Sequence, residues 1–109
     1  MSAKIRNLSV QITRYESDWQ PGWLECEFTD SENRKHRIYD KVPVLFGGDF
    51  PYDNFTCPCA GSVRCSPLSS WRTDTGEGLV RITLEEPDHV ESTEGLTEFV
   101  VFANQLSDY

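Results

Sequence analysis

Long apolar runs are missing from this chain. No segment of its 109 residues approaches the ~20 consecutive apolar residues that a membrane-spanning helix needs. The opening stretch, residues 1–15, is interrupted by charged or polar residues every one to three positions, so no secretory leader is expected and a cytosolic location is. An excess of basic residues is missing too. Eighteen Asp and Glu face ten Lys and Arg, a net charge of -8, and a phosphate backbone or an anionic lipid surface would repel such a chain. Neither nucleic-acid nor membrane binding is expected. Histidine is scarce: His36 stands among Arg34, Lys35 and Arg37, and His89 lies in an acidic segment. Both are expected to be solvated surface groups rather than proton carriers. No G-x-S-x-G, P-loop or dinucleotide-type glycine pattern occurs, and Glu85 and Glu86, being adjacent, would point to opposite faces of a strand instead of flanking a bond. No catalytic residue is assigned, and an enzyme is not expected.

Helical periodicity is the last absence, since no window of ten residues keeps an apolar stripe at helical spacing. Alternation takes its place. Leu8, Val10 and Ile12 share one face of a first extended segment, and Leu24, Cys26 and Phe28 share one face of a second, entered through Gln20-Pro21-Gly22. The polar turn Asp30-Ser31-Glu32-Asn33 leads to His36, Ile38, Val42 and Val44, which predict a long third strand with Pro43 at an edge or bulge. Strands two and three make a hairpin. Residues 47–58 alternate turn formers with aromatics and read as a loop. Strand signal resumes near Val63, runs to Trp71, breaks at Thr73 to Gly78 and continues with Val80, Ile82 and Leu84 as a second hairpin. After a polar connection from Glu85 to Gly95, Thr97 to Phe102 form a closing strand, and Ala103 to Leu106 could add one helical turn.

The chain is therefore predicted to be all-β, one domain spanning residues 1–109, with about six antiparallel strands and little or no helix. Both a small barrel and a two-sheet sandwich present this alternation, and the pattern does not separate them. Thirteen aromatics, three of them Trp, four Tyr and six Phe, supply a core without disulfide staples.

Two groups of residues could carry function. Cys57, Cys59 and Cys65 fall within nine residues, with Cys26 and His36 elsewhere, and thiolates are good zinc ligands. The spacing is not that of a structural zinc site, however, because one C-x-C stands alone where two knuckles are usual. The primary expectation is no cofactor and no metal, with reduced thiols behaving as small apolar groups. A metal-binding or metal-sensing protein is the competing reading, with Cys57, Cys59, Cys65 and His36 as the candidates. Asp49, Asp53 and Asn54 lack the oxygen-ligand spacing of a calcium loop. Trp19, Trp23, Phe46, Phe50, Tyr52, Phe55 and Trp71 cannot all be placed on inward faces, and their expected use is to close the ends of the core.

The second group is charge. Residues 1–84 hold eleven acids and all ten Lys and Arg, whereas 85–109 hold seven acids and no Lys or Arg. A potential that lopsided speeds encounter with a cationic partner. The expected function is accordingly a non-enzymatic interaction module of inhibitor or immunity type. It would dock a basic protein through Glu85, Glu86, Asp88, Glu91, Glu94 and Glu98.

Three stretches, Pro21 to Phe28, Lys41 to Val44 and Val90 to Thr97, resemble a family of small bacterial proteins of uncharacterised function. The resemblance covers about a fifth of the chain and implies an independent bacterial cytosolic domain. It transfers no catalytic residue, and Cys57-Pro58-Cys59 is not part of its pattern. Within the third stretch, Ser92 or Thr93 is expected to bond local backbone and Gly95 to take a positive φ.

Overall fold

A computed structural model of the chain describes residues 4–16, 22–46 and 56–109. They form seven antiparallel strands: β1 (Arg6–Glu16), β2 (Trp23–Thr29), β3 (Lys35–Lys41), β4 (Cys59–Arg72), β5 (Gly78–Thr83), β6 (Glu98–Phe102) and β7 (Leu106–Asp108). The strand order is β3-β2-β1-β4-β5-β6, with β7 beside the start of β1. The sheet curls into a half barrel. Of the two architectures open to the alternating pattern, the structure adopts the barrel-like one.

Alternation fills the interior as predicted. Leu8, Val10 and Ile12 of β1, and Leu24, Cys26 and Phe28 of β2, all face inward and meet Val63, Ile82, Phe99 and Val101 from the later strands. Two bulges provide the curl. One interrupts β1 between Ile12 and Arg14, and the other interrupts β4 between Pro67 and Ser69. Proline has no N–H to donate to a ladder, and an extra residue bends and twists its strand. Strand β4 changes partner there: Cys59 to Cys65 pair with β1, and Ser66 to Arg72 pair with β5.

Curling brings the far ends together. The Ser31 N–H donates to the Val100 carbonyl at 2.9 Å, so the β2–β3 turn touches β6. Gln105 Nε2 donates to the Thr29 carbonyl at 2.8 Å, tying the same turn to the 3-10 turn Ala103–Gln105.

The third strand is shorter than predicted. Val42–Leu45 wind into one helical turn, α1, closed by the Phe46 N–H on the Val42 carbonyl at 2.9 Å. Pro43 is at home there, because the first turn of a helix has no partner for its N–H groups. Val42 and Leu45, three apart, both point into the core. The VPVL sequence is β-rich, but two buried anchors at helical spacing decide its conformation.

Gly61 marks a tight crossing of β4, β1 and α1. A Cβ there would lie 2.7 Å from Ile12 Cδ1 and 3.0 Å from the Leu45 carbonyl oxygen. A Gly61→Ala chain is expected to lose about 1–3 kcal/mol through overpacking, measured as a lower urea midpoint with an unchanged m-value. An unshifted midpoint would show that β4 and α1 can separate freely.

Candidate functional site

The predicted acidic residues lie mainly on the connection between β5 and β6, which is built as a fixed loop. Leu84, Val90 and Ser92 point inward and are buried. Around them the backbone bonds to itself: Leu84 N–H to the Thr97 carbonyl at 2.8 Å, Val90 N–H to the Leu84 carbonyl at 2.8 Å, and Ser92 N–H to the Leu96 carbonyl at 2.8 Å. The Ser92 hydroxyl accepts from the N–H groups of Glu94 and Leu96 at 3.3 and 3.1 Å, and Gly95 takes φ +84°. Both features match the expectation for this turn, with Ser92 rather than Thr93 as the acceptor. Thr93 N–H reaches the Arg37 carbonyl at 2.8 Å, so the loop is also fastened to β3.

Inward and outward positions sort the six predicted docking acids. Asp88 is largely covered, its side chain 15% exposed, and Arg64 grips it with Nε on Oδ2 at 2.9 Å and Nη2 on Oδ1. A two-pronged guanidinium–carboxylate bond of this kind fixes both side chains. Tyr109 adds its hydroxyl, which accepts from Arg64 Nη1 at 2.9 Å. Glu98 on β6 pairs with Arg81 on β5 at 3.4 Å, both exposed. Glu94 stands with Lys35 and Arg37 around a shallow depression. Glu85, Glu86 and Glu91 are exposed and, among the described residues, have no ion pair. The protein's own arginines thus neutralise Asp88 and Glu98 and leave an outward-facing set on the loop.

Beside this loop, a cleft of about 220 Å³ opens between the β2–β3 turn and β6, lined in part by Asp30, His36, Arg81, Leu96 and Phe99. His36 is a correction to the sequence reading. It is 7% exposed, not solvated, because it shares the inward face of β3 with Ile38. Its ring packs against Phe99 and Phe28, with centroids 4.6 and 5.3 Å away, and those two rings meet edge to face at 5.1 Å. Nε2 is 2.7 Å from Asp30 Oδ2, and Nδ1 is buried without a partner among the described residues. Asp30 Oδ1 accepts from the N–H groups of Glu32 and Arg34 at 2.8 and 3.0 Å. Burial pushes this carboxyl up, but the bonds from His36, Arg34 and Glu32 outweigh it and hold the group below its ordinary 3.8. An ionised Asp30 therefore orders the β2–β3 turn and fixes the His36 ring. The pair is a structural lock at the seam where the sheet's ends meet.

The candidate metal ligands do not converge. Cys59 and Cys65 sit opposite Ile12 and Arg6, at the two ends of the β1–β4 ladder. Six residues of extended chain separate them, about 20 Å, so one ion cannot bind both. Among the described residues no group of three or more His, Cys, Asp or Glu side chains is placed to hold a metal ion. Burial pushes Cys26 up to about 12, helped by the charges of Asp40 and Glu25. Burial likewise pushes Cys65 up to about 11, with Arg6 opposing. Cys57 and Cys59 are also raised by burial, the former further by its neighbour Cys59. Alkylation follows thiolate supply and access. With iodoacetamide near neutral pH, exposed Cys57 is expected to react first, half-buried Cys59 more slowly, and Cys26 and Cys65 only on unfolding. Mass spectrometry of the labelled peptides checks the order, and early labelling of Cys65 would contradict it.

The aromatics divide. Phe46 packs on the core, and Trp23 stacks on Tyr39 across β2 and β3 with centroids 5.1 Å apart. Trp71, expected to close the core, is instead 44% exposed. Trp19, Asp49, Phe50, Tyr52, Asp53, Asn54 and Phe55 lie outside the described residues. No helix among the described residues is long and apolar enough to cross a membrane. Comparison with family models, curated proteins and solved structures gives no match.

Proposed function

We propose that this domain works as a non-enzymatic interaction module, docking a basic protein partner in the cytosol through the β5–β6 connection. One observation carries the reading: Glu85, Glu86 and Glu91 face outward from a loop that Leu84, Val90 and Ser92 anchor in the core. Charges held this way do not have to be ordered when a partner arrives, so attraction is realised at encounter and not spent on fixing the loop. Asp88 and Glu98 serve the fold by binding Arg64 and Arg81, and the docking face is narrower than the six acids of the sequence.

A triple reversal, Glu85→Lys, Glu86→Lys and Glu91→Lys, tests the reading while leaving every ion pair described above intact. A protein captured by the wild-type chain is identified, purified and assayed for association rate across salt concentrations. The reversal is expected to slow association at low salt by about 10-fold or more, and added salt should erase the difference. Equal rates for both chains at every salt concentration would remove the electrostatic face.

A further inference from the structure

Strand β4 runs on past its neighbour. Cys65 is the last residue that β1 pairs, and from Ser66 to Arg72 the strand pairs only with β5 among the described residues. The turn that follows shows which backbone groups face the open side. Thr73 N–H bonds the Glu77 carbonyl at 2.9 Å, and these two stand opposite each other in the register that pairs Arg72 with Gly78. Opposed residues of an antiparallel ladder alternate between pairs that exchange hydrogen bonds and pairs whose N–H and C=O groups point away. Trp71 and Ser69 therefore bond β5, and Ser70 and Arg72 turn their backbone groups to the open side. The next ladder agrees: Leu84 N–H on the Thr97 carbonyl assigns Val80 and Ile82 to β6, which leaves Leu79 and Arg81 for β4. Pro67 stands opposite Ile82, so the N–H that proline lacks is one the open side would otherwise offer. Ser70 and Arg72 are left as the usable pair.

The same stretch carries an uncovered apolar row. Trp71 is paired with Leu79, and Leu79 with Phe102, on the face of the sheet opposite to buried Val80 and Val101. Leu79 and Phe102 are half-buried, but Trp71, at the open end of the row, is 44% exposed. No carboxylate occurs from Ser66 to Arg72, in a chain that has eighteen.

We propose that a second copy of this chain pairs along this edge, antiparallel about a two-fold axis at Trp71. Ser70 of each copy then exchanges backbone hydrogen bonds with Arg72 of the other. The other registers are worse: Ser70 on Ser70 carries each Arg72 onto the bulge between Pro67 and Ser69, and Arg72 on Arg72 sets like charges face to face. Ser70 on Arg72 places the two Trp71 indoles directly opposite, as a cross-strand aromatic pair, and joins the two apolar rows into one. It also brings each hairpin tip, with Asp74 and Glu77, to the start of the other copy's β1, where Lys4 stands two residues before Arg6. Two acidic chains thus meet where their charges are complementary. Strands this short bury less than the ~1,200 Å² of a standard stable interface, so the dimer is weak, forming as the protein approaches millimolar concentration. The acidic connection lies at the other end of β5, and the pairing does not depend on the docking function.

Sedimentation and amide spectra of the ¹⁵N-labelled full chain, from micromolar to millimolar concentration, test the pairing. Mass is expected to rise toward the dimer, with shifts centred on Ser69 to Thr73. An NOE should appear between the amide protons of Ser70 and Arg72, which a single strand holds about 7 Å apart. Ser70→Pro removes an N–H that the β4–β5 ladder does not use, and Trp71→Thr removes the indole pair. Each loss counts twice across the two-fold axis and should weaken association by about tenfold or more; native-like spectra of the dilute variants show that they fold. A chain that stays monomeric at millimolar concentration, shifts centred elsewhere, or variants that associate like the wild type would each overturn the proposal. So would contacts to Ser70 from residues 1–3 of the same chain.

Discussion

Replacing Asp30 with asparagine is expected to lower the stability of the fold by about 1–3 kcal/mol at neutral pH. The substitution keeps the size of the side chain and an Oδ1 for the N–H groups of Glu32 and Arg34. It removes the charge and the Oδ2 acceptor that His36 Nε2 faces at 2.7 Å. To accept from the new amide, His36 would have to move its proton to Nδ1, and that nitrogen is buried with no partner among the described residues. A buried donor left without an acceptor costs more than the net worth of the bond it replaced. Aspartate at this position also gives the loss a pH signature. Its carboxyl sits below the ordinary 3.8 in the fold, so its contribution is complete above that value and drains away as the pH falls through the folded-state value. Urea unfolding of both chains should show a gap at neutral pH that narrows in acid. A gap that stays constant across that range would mean that the ionised form of Asp30 is not what stabilises the turn.

That lock shows where the sequence is readable and where it is not. Leu8, Val10 and Ile12, like Leu24, Cys26 and Phe28, could be assigned to the core because a strand's side chains alternate whatever the rest of the chain does. The same rule applies to His36, two residues before Ile38. The cations on either side, Lys35 and Arg37, pull the reading to the surface although they occupy the outward positions of the same strand. Its partner Asp30 lies six residues back across a turn, a separation with no periodic signature. The Arg64–Asp88 and Arg81–Glu98 pairs likewise leave no periodic trace, the first set by where the β5–β6 connection meets β4 and the second by the register of β5 on β6. Strand β7 escaped because three residues are too few to show alternation. In α1, Val42 and Val44 carried a strand preference that the spacing of Val42 and Leu45 overrode.

Much of the loop's geometry should hinge on Leu84, and Leu84→Ala is expected to cost about 2–5 kcal/mol, as for other fully buried leucines. Leu84 is fully buried at the end of β5. Its N–H bonds Thr97 where the connection returns, and its carbonyl accepts from Val90 in the middle. Truncating the side chain opens a cavity under both bonds. The connection should then loosen before the sheet does, because its remaining buried anchors, Val90 and Ser92, are small, whereas β1, β2 and β4 keep their full ladders. Hydrogen exchange at Val90, Ser92 and Thr93 is expected to speed up by more than that at Leu8, Ile12 and Val63. If the acidic face works by being held in advance, this variant should also bind a basic partner more weakly, although it alters no charge, and the salt dependence of association should persist. Uniform acceleration of exchange across the sheet would show that the connection opens only with the whole domain. Unchanged partner affinity in a visibly loosened loop would show that charge alone, without preorganisation, accounts for docking.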